Sequence, residues 1–359
     1  MAVTTIGIIG GGQLGRMLAM AAARLSFRVV ILEPQPDCPA AQLASKQIVA
    51  AYDDPEALGS LADACQVITY EFENVPVSAA ERLQQATPVY PPPRALEVTQ
   101  DRITEKRFLN DCGIATADFR AVDSQEDLLQ ALAKFESRGV LKTRRLGYDG
   151  KGQRMFRSRQ DDPTGSFDAL GRVPLILESF VPFEREISII AARDRAGTVR
   201  CYDPAENVHK NGILHTSSLP ARISASTAES ARVAANRVLE ALDYVGVIGI
   251  EFFVLADGSL IVNEIAPRVH NTGHWTEAAC TISQFEQHIR AISGLQLGDP
   301  QRHSDCEMIN LIGDDLKDIS HWLESKETLV HLYGKSEARP GRKMGHVTQL
   351  THRKAPRNG

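Results

Sequence analysis

Residues 248–268 read IGIEFFVLADGSLIVNEIAPR, and this stretch decides how the chain is read. Asp257-Gly258 stands between two apolar runs, a strong signal for a tight β-hairpin. With Ala256 and Ser259 flanking a two-residue turn, counting outward pairs Leu255 with Leu260, Val254 with Ile261, Phe253 with Val262 and Phe252 with Asn263. Glu251 then falls opposite Glu264. Directly opposed residues have Cβ atoms about 4.5–5.5 Å apart. The strands are otherwise apolar on both faces, so a central, buried hairpin is expected. Two carboxylates ionise together in such a place only with a cation nearby. Mg²⁺ suits the pair, because it is a hard ion that uses one or two carboxylates plus substrate phosphates. Asn263 adds a carbonyl oxygen. Two other readings stay open: a slipped register in which each Glu pairs with an Arg such as Arg268, and a carboxylate dyad of the glycosidase type.

A second basic, glycine-dense stretch lies upstream. Lys142 sits in the strand pattern VLKT, followed by Arg144, Arg145, Gly147, Tyr148, Asp149, Gly150, Lys151, Gly152 and Gln153. Three glycines permit close backbone approach to an anion, and the cations add positive charge. The spacing is not GxxxxGK[ST], and a strand pattern follows rather than a helix. The segment near 141–153 is therefore expected to be a hairpin flap lying over phosphates. A basic surface loop is the alternative for this segment taken alone.

The rest of the chain fits around these two features. Its 359 residues exceed one ordinary core, so two or three domains are expected. A composition of 43% hydrophobic and 24% charged residues is that of a soluble globular protein. The net charge of -5 argues against a nucleic-acid or membrane-surface binder. No apolar run approaches the roughly 18 residues that span a bilayer, and no leader pattern opens the chain. The six cysteines form no CxxC pair and read as reduced thiols of a cytoplasmic protein.

Up to Gln100, strands at Thr5–Ile9, Arg28–Leu32, Lys46–Ala50, Val67–Tyr70 and Val89–Tyr90 alternate with helices. One helix is Pro55–Ala64, with Asp54 as N-cap. Alternation implies an open parallel sheet. Pro91-Pro92-Pro93 then marks a boundary. Strands dominate the middle, with a helix at Thr227–Leu242 that Ser226 and Glu229 would open as a capping box. A final strand is expected at His346–Leu350, after a loop over Tyr333–Gly345. The fold class is α/β and α+β. A Rossmann-like domain spans residues 1–100, an α+β core 101–295, and a small C-terminal domain 296–359.

Near the start, IIGGGQLGRM (Ile8–Met17) contains Gly10-x-Gly12-x-x-Gly15 after an apolar strand, which alone reads as a dinucleotide fingerprint. Glu33 ends the second strand about where a ribose-binding acid would stand. An NAD-dependent oxidoreductase is thus a competing class.

Several segments together resemble the ATP-grasp ligases. They are QDRxxEK (Gln100–Lys106), LKTRRLGYDGKGQ (Leu141–Gln153), ESFVPFEREIS (Glu178–Ser188), ENVHKNGILHTS (Glu206–Ser217), NEIAPRxHNxGHWT (Asn263–Thr276) and YGKSEARPGRKMGHV (Tyr333–Val347). More narrowly, with YEFENVP (Tyr70–Pro76), they resemble the N5-carboxyaminoimidazole ribonucleotide synthetases of purine biosynthesis. The resemblance covers nearly the whole chain. It implies a pre-ATP-grasp domain, an ATP-grasp core and a C-terminal domain that closes the substrate site. It also implies carboxylation of aminoimidazole ribonucleotide by bicarbonate through carboxyphosphate, with ATP as the driver and Mg²⁺ as the metal. Homodimers in the cytoplasm are the family expectation. Formate-dependent glycinamide ribonucleotide transformylase is the nearest rival on the same architecture.

By the same resemblance, Glu251 and Glu264 are the metal ligands, and Arg102, Lys142 and the Gly147–Gln153 segment contact phosphates. Glu178, Ser179, Phe180 and Val181 form the segment whose backbone reads adenine. Glu186 accepts ribose hydroxyls, His209 makes a further nucleotide contact, and Asn263 lies beside Glu264. Tyr148, Asp149 and Lys151 close on the aminoimidazole, with Asp149 orienting or deprotonating its amine. Arg268 holds bicarbonate or carboxyphosphate. Gly12, Gln13, Leu14, Glu73, His270 and Asn271 face the ribonucleotide, and Lys335 and Arg342 take its 5′-phosphate. His270 and His274 have i, i+4 spacing, but Pro267 and Gly273 make this a loop, which argues against zinc.

Overall fold

The alternation of short apolar runs and helical periods up to Gln100 builds an open parallel sheet in the computed structural model, which describes residues 4–147, 150 and 152–351. Its strands lie in the order Lys46–Ile48, Arg28–Leu32, Thr5–Ile9, Val67–Tyr70, all parallel. Val89 adds only an isolated bridge to Ile68, so the expected Val89–Tyr90 strand does not form. The helix Pro55–Ala64 starts where Asp54 accepts from the Glu56 and Ala57 N–H groups, each at 2.9 Å.

A four-stranded antiparallel sheet follows, in the order Phe119–Val122, Leu175–Ser179, Gly139–Thr143, Gln153–Phe156. Lys142 lies in it, and the glycine-rich segment joins its last two strands, as a hairpin flap requires. The largest sheet starts at Leu260–Ala266 and runs through Gly246–Val254, Arg185–Arg193, Ala205–Lys210 and Ile213–Leu219. It continues into Asp305–Ile312, Lys343–Thr351 and Thr328–Leu332, while Val199–Cys201 pairs on Arg185–Arg193. The C-terminal strands therefore extend the sheet of the middle region. Thr328–Leu332 escapes the sequence reading, and Lys343 opens a strand inside the expected loop. A buried apolar cluster joins the first helix (Leu14, Met17, Leu18) to Phe285 and Ile289 of the helix Gln284–Ser293. Each such side chain contributes about 1.5–3 kcal/mol by leaving water.

Two further expectations need correction. The long helix spans Ala225–Ala241, and its cap is Ser224, which accepts from the Thr227 N–H at 3.0 Å. Ser226 and Glu229 form no capping box there; Glu229 lies 3.6 Å from Arg232 one turn on. The hairpin also differs in detail. Leu255 N–H donates to Ser259 O and Gly258 N–H to Leu255 O, so the loop has three residues, with Gly258 at φ +82°. Val254 thus faces Leu260, Phe253 faces Ile261 and Phe252 faces Val262. A bulge beside Phe252 then skips Asn263, and Glu251 faces Glu264 after all. The hairpin is not central either, because Leu260–Ala266 is the sheet edge. The segment leading into the strand Phe119–Val122 covers that edge, with Val262 N–H donating to Ala115 O at 2.8 Å.

The opening glycines make the expected strand-to-helix turn. A Cβ on Gly15 would meet Gly10 O at 2.7 Å, so the approach needs glycine there. Yet the slot where a pyrophosphate would sit is filled from within. The Glu71 carboxylate accepts from Gly12 N–H and, at 2.5 Å, from Gly15 N–H. Glu33 is committed as well, accepting from Gly11 N–H at 3.0 Å and Tyr52 O–H at 2.6 Å. The dinucleotide reading is therefore displaced by a carboxylate of the protein's own. Glu71→Ala strips two backbone donors of their partner and should cost about 1–3 kcal/mol for each one left dry. Urea unfolding checks this; unchanged stability would show that the carboxylate does not hold the turn.

Candidate active site

The three sheets converge on one cavity of about 620 Å³. On its floor stand Glu251 and Glu264 from the hairpin, with Asn263 beside Glu264. The Asn263 side-chain oxygen is buried without a hydrogen-bond partner among the described residues. Burial, and then the charge of Glu264, pushes the Glu251 carboxyl up to about 7. Two facing carboxylates, one held well above its ordinary range, beside an unpaired amide oxygen, make a donor set that fits a hard divalent cation. The register slips near the turn, but the bulge restores the Glu251–Glu264 pairing, and Arg268 reaches Glu73 rather than either acid.

Cations surround the pair at fixed positions. Arg102 follows the N-cap Asp101, and its Nη1 lies 3.3 Å from Glu264 Oε2 while Nη2 donates to Gly147 O. Arg102 thereby ties the base of the glycine flap to the acidic floor. Arg144 and Arg145, expected to add positive charge for phosphates, both pair with Asp101, at 2.9 and 3.6 Å. Their charge anchors the flap's stem. Gly147, Gly150, Gly152 and Gln153 line the cavity; Tyr148, Asp149 and Lys151 lie outside the described residues.

Lys142 enters from the neighbouring strand, and its ammonium meets Glu178 Oε2 at 2.9 Å. Lys106 meets Glu178 Oε1 at 3.3 Å and donates to Asn263 O. Glu178 is 3% exposed. Its burial alone would raise the carboxyl, but Lys142 and Lys106 outweigh it and hold the group at about 2. Glu178 is thus no surface charge: its side chain faces inward, while Ser179, Phe180 and Val181 line the cavity after it. Burial lowers the Lys142 ammonium, with Glu178 opposing.

Glu186 and His209 form the next wall. His209 Nδ1 lies 2.9 Å from Glu186 Oε2. Burial lowers this imidazole, but Glu186, Glu251 and Glu264 together carry it above its ordinary value.

The opposite wall comes from the first domain. Gly12, Gln13, Leu14 and Glu73 line the same cavity as the carboxylate pair. Arg268 Nε donates to Glu73 Oε2 at 2.6 Å. Burial would raise Glu73, and Arg268 reverses this to about 2. This ion pair fixes the first domain against the hairpin's exit. His270 and Asn271 line the cavity beyond it, with His270 Nδ1 2.9 Å from Thr272 Oγ1. His274 Nδ1 lies 3.1 Å from Gln284 Nε2.

Lys335 and Arg342 are not in the cavity wall. Lys335 donates to Lys343 O at 2.7 Å, and Arg342 to Glu337 O at 2.9 Å. Lys343 lines the cavity. Strand alternation in the tail carries the signal that would have found it. Glu71, Glu105 and Lys106 also escaped the reading, though they lie inside the quoted motifs. Glu105 accepts from Ile265 N–H at 2.7 Å and so fixes the strand after Glu264.

Three family models match the chain in succession. They are the ribonucleotide synthetase pre-ATP-grasp domain over residues 3–100, the ATP-grasp domain over 107–285 and the phosphoribosylaminoimidazole carboxylase C-terminal domain over 306–356. Fold and cavity are therefore those of an ATP-grasp enzyme. An N5-carboxyaminoimidazole ribonucleotide synthase of Brucella melitensis is 64% identical over 98% of this chain and 97% of the relative. The crystal structure of the ADP complex of an N5-carboxyaminoimidazole ribonucleotide synthetase is similar at TM-score 0.94 and 41% identity, over 98% of this chain and 93% of that one. The Aspergillus clavatus synthase, in complex with ADP and 5-aminoimidazole ribonucleotide, gives TM-score 0.91 at 31% identity, over 97% and 94% of the two chains. The chain belongs to the N5-carboxyaminoimidazole ribonucleotide synthase family.

The buried Glu178 triad yields a prediction with a definite sign. A carboxyl lowered in the fold stabilises above its ordinary value of 4.5 and loses that contribution as pH falls toward about 2. Glu178→Gln leaves two buried ammonium groups uncompensated, which costs about 3–5 kcal/mol at pH 7. The variant should also be less sensitive to acid over that window. Urea titrations across the pH range test both, and an unaltered pH slope would contradict the pairing.

Proposed function

We infer that this chain is an ATP-dependent carbon–nitrogen ligase that carboxylates 5-aminoimidazole ribonucleotide with bicarbonate, giving N5-carboxyaminoimidazole ribonucleotide, ADP and phosphate. The observation that carries the reading is the single cavity. It joins the carboxylate floor and its cations to the Gly12–Leu14 turn. A nucleotide triphosphate over the floor and a ribonucleotide against the turn can share one reaction space.

A bicarbonate oxygen attacks the γ-phosphorus of ATP, and the bond to ADP breaks, giving carboxyphosphate. The exocyclic amine then attacks the carboxyl carbon. Phosphate leaves, and the amine loses its proton. Carboxyphosphate is short-lived in water, so a closed site favours the second step. Glu251, Glu264 and Asn263 would hold Mg²⁺, which neutralises charge on the phosphates when bound. Lys142 and Arg102 would meet phosphate oxygens, the first as a point charge and the second as a fork. The flap glycines would lie over them. The backbone of Ser179–Val181 would read the adenine edge, and Glu186 would accept ribose hydroxyls with His209 beside it. Arg268, steadied by Glu73, would orient bicarbonate and then carboxyphosphate. Gly12, Gln13, Leu14, His270 and Asn271 would contact the aminoimidazole ribonucleotide. Tyr148, Asp149 and Lys151 would close over its base. Lys335, Arg342 and Lys343 put positive charge on the C-terminal side, where a 5′-phosphate would lie. No helix among the described residues is long and apolar enough to cross a membrane. A homodimer is proposed on family grounds.

ADP release should rise strongly when aminoimidazole ribonucleotide and bicarbonate are both supplied. Stimulation by glycinamide ribonucleotide and formate instead would move the chain to the transformylase reading. Glu264→Gln should abolish turnover, by at least about 10³-fold, while circular dichroism stays that of the parent protein. Near-normal turnover would remove Glu264 from the metal.

A further inference from the structure

A second convergence of ligand atoms lies outside the cavity. His331 and His346 face each other across the paired strands Thr328–Leu332 and Lys343–Thr351. Their rings stack, with centroids 5.2 Å apart and planes at 14°. Glu277 reaches them from the short helix Thr276–Ala279, just after the loop that carries His270 and Asn271. Its Oε2 lies 3.0 Å from His331 Nδ1 and 3.6 Å from His346 Nε2. All three ligand atoms lie within 4.8 Å of one another.

The hydrogen-bonding pattern leaves this group incomplete. Glu277 Oε2 and His346 Nε2 are both buried, and neither has a hydrogen-bond partner among the described residues. The His346 side chain is 1% exposed. Its other nitrogen, Nδ1, lies 2.9 Å from the Tyr333 hydroxyl. In the tautomer whose N–H is turned to Tyr333, the Nε2 lone pair faces a carboxylate oxygen. In that tautomer two buried acceptors converge, and a cation between them would satisfy both.

We propose that Glu277, His331 and His346 form a binding site for a divalent transition-metal ion of the zinc class, separate from the carboxylate floor of the cavity. Two imidazoles and one carboxylate are a common protein ligand set for zinc, with the fourth position left to water. Tetrahedral ligation at about 2.0–2.2 Å sets ligand atoms about 3.3 Å apart, and the observed separations from Glu277 fall on either side of that. Tyr333 would hold the ring of His346 from behind, as outer partners of metal-bound imidazoles do. His346 lies on the strand that opens with the cavity residue Lys343, and Glu277 follows the loop that bears His270. A bound ion would therefore brace the C-terminal strands against the loop lining the cavity. The other compatible group, Glu186, His209 and Glu251, belongs to the cavity itself, so the test has to separate the two.

The full chain is stripped with chelator, saturated with Mg²⁺ and ADP to occupy the cavity, and dialysed against Zn²⁺ with elemental analysis. Co²⁺ absorption then reports the geometry. One equivalent of zinc is expected to stay, with a tetrahedral cobalt spectrum. His331→Ala and the isosteric Glu277→Gln should each weaken retention by at least about tenfold. Tyr333→Phe, which keeps all three ligands, should weaken it by about 10–100-fold. Loss of all zinc in the presence of Mg²⁺ and ADP would overturn the site. So would undiminished retention in the Glu277→Gln and His331→Ala proteins. Both readings are independent of turnover.

Discussion

Glu251 and Glu264 face each other at the edge of a sheet, and much of the surrounding architecture answers the problem this creates. Burial makes their joint ionisation costly, which is why the Glu251 carboxyl lies near 7. Arg102 supplies one counter-charge at 3.3 Å from Glu264. Lys142 and Lys106 stand near but are turned to Glu178. Burial also lifts Glu105, the acid behind Glu264, to about 7. Four buried or half-buried carboxylates thus share three cations at the floor, and two of the four are held near neutrality. The divalent cation proposed for this floor would restore the balance. A substrate that arrives with metal and phosphate together, as proposed, would meet that need.

The first domain shows how one backbone geometry can carry two meanings. The strand-to-helix turn with its glycines presents free N–H groups, as in dinucleotide sites. Here Glu71 occupies them, and Glu33 is bonded to Gly11 and Tyr52. The turn becomes a rigid wall facing a shared cavity, tied to the hairpin's exit through Glu73 and Arg268. Both carboxylates sit in YEFENVP, which links the first sheet to the site in two residues two apart.

Local rules read the fold well wherever one residue decides. Asp54 and Pro55 place a helix start to the residue, and the parallel first sheet follows from alternation. The hairpin is more instructive. The two-residue turn was wrong by one, and the bulge at Asn263 put the register back. The Glu251–Glu264 pairing therefore came out right through two offsetting departures. Bulges and loop lengths depend on packing against chain far away in sequence, here Ala115 on the edge strand. The same limit explains the charges. Arg144 and Arg145 look like phosphate ligands until Asp101, brought in by another helix, takes them both. The sequence places Glu178 in a backbone-reading segment, and only the fold brings two lysines from different elements over its side chain. The tail's cations were legible as a group, but only strand pairing selects Lys343 for the wall.

The most direct test of the central interaction is a crystal of the protein grown with Mn²⁺ and ADP and read by anomalous scattering. A peak between the Glu251 and Glu264 carboxylates, within bonding reach of both and of a phosphate oxygen, is the result expected. A metal bound away from this pair, with Glu264 still turned to Arg102, would contradict it.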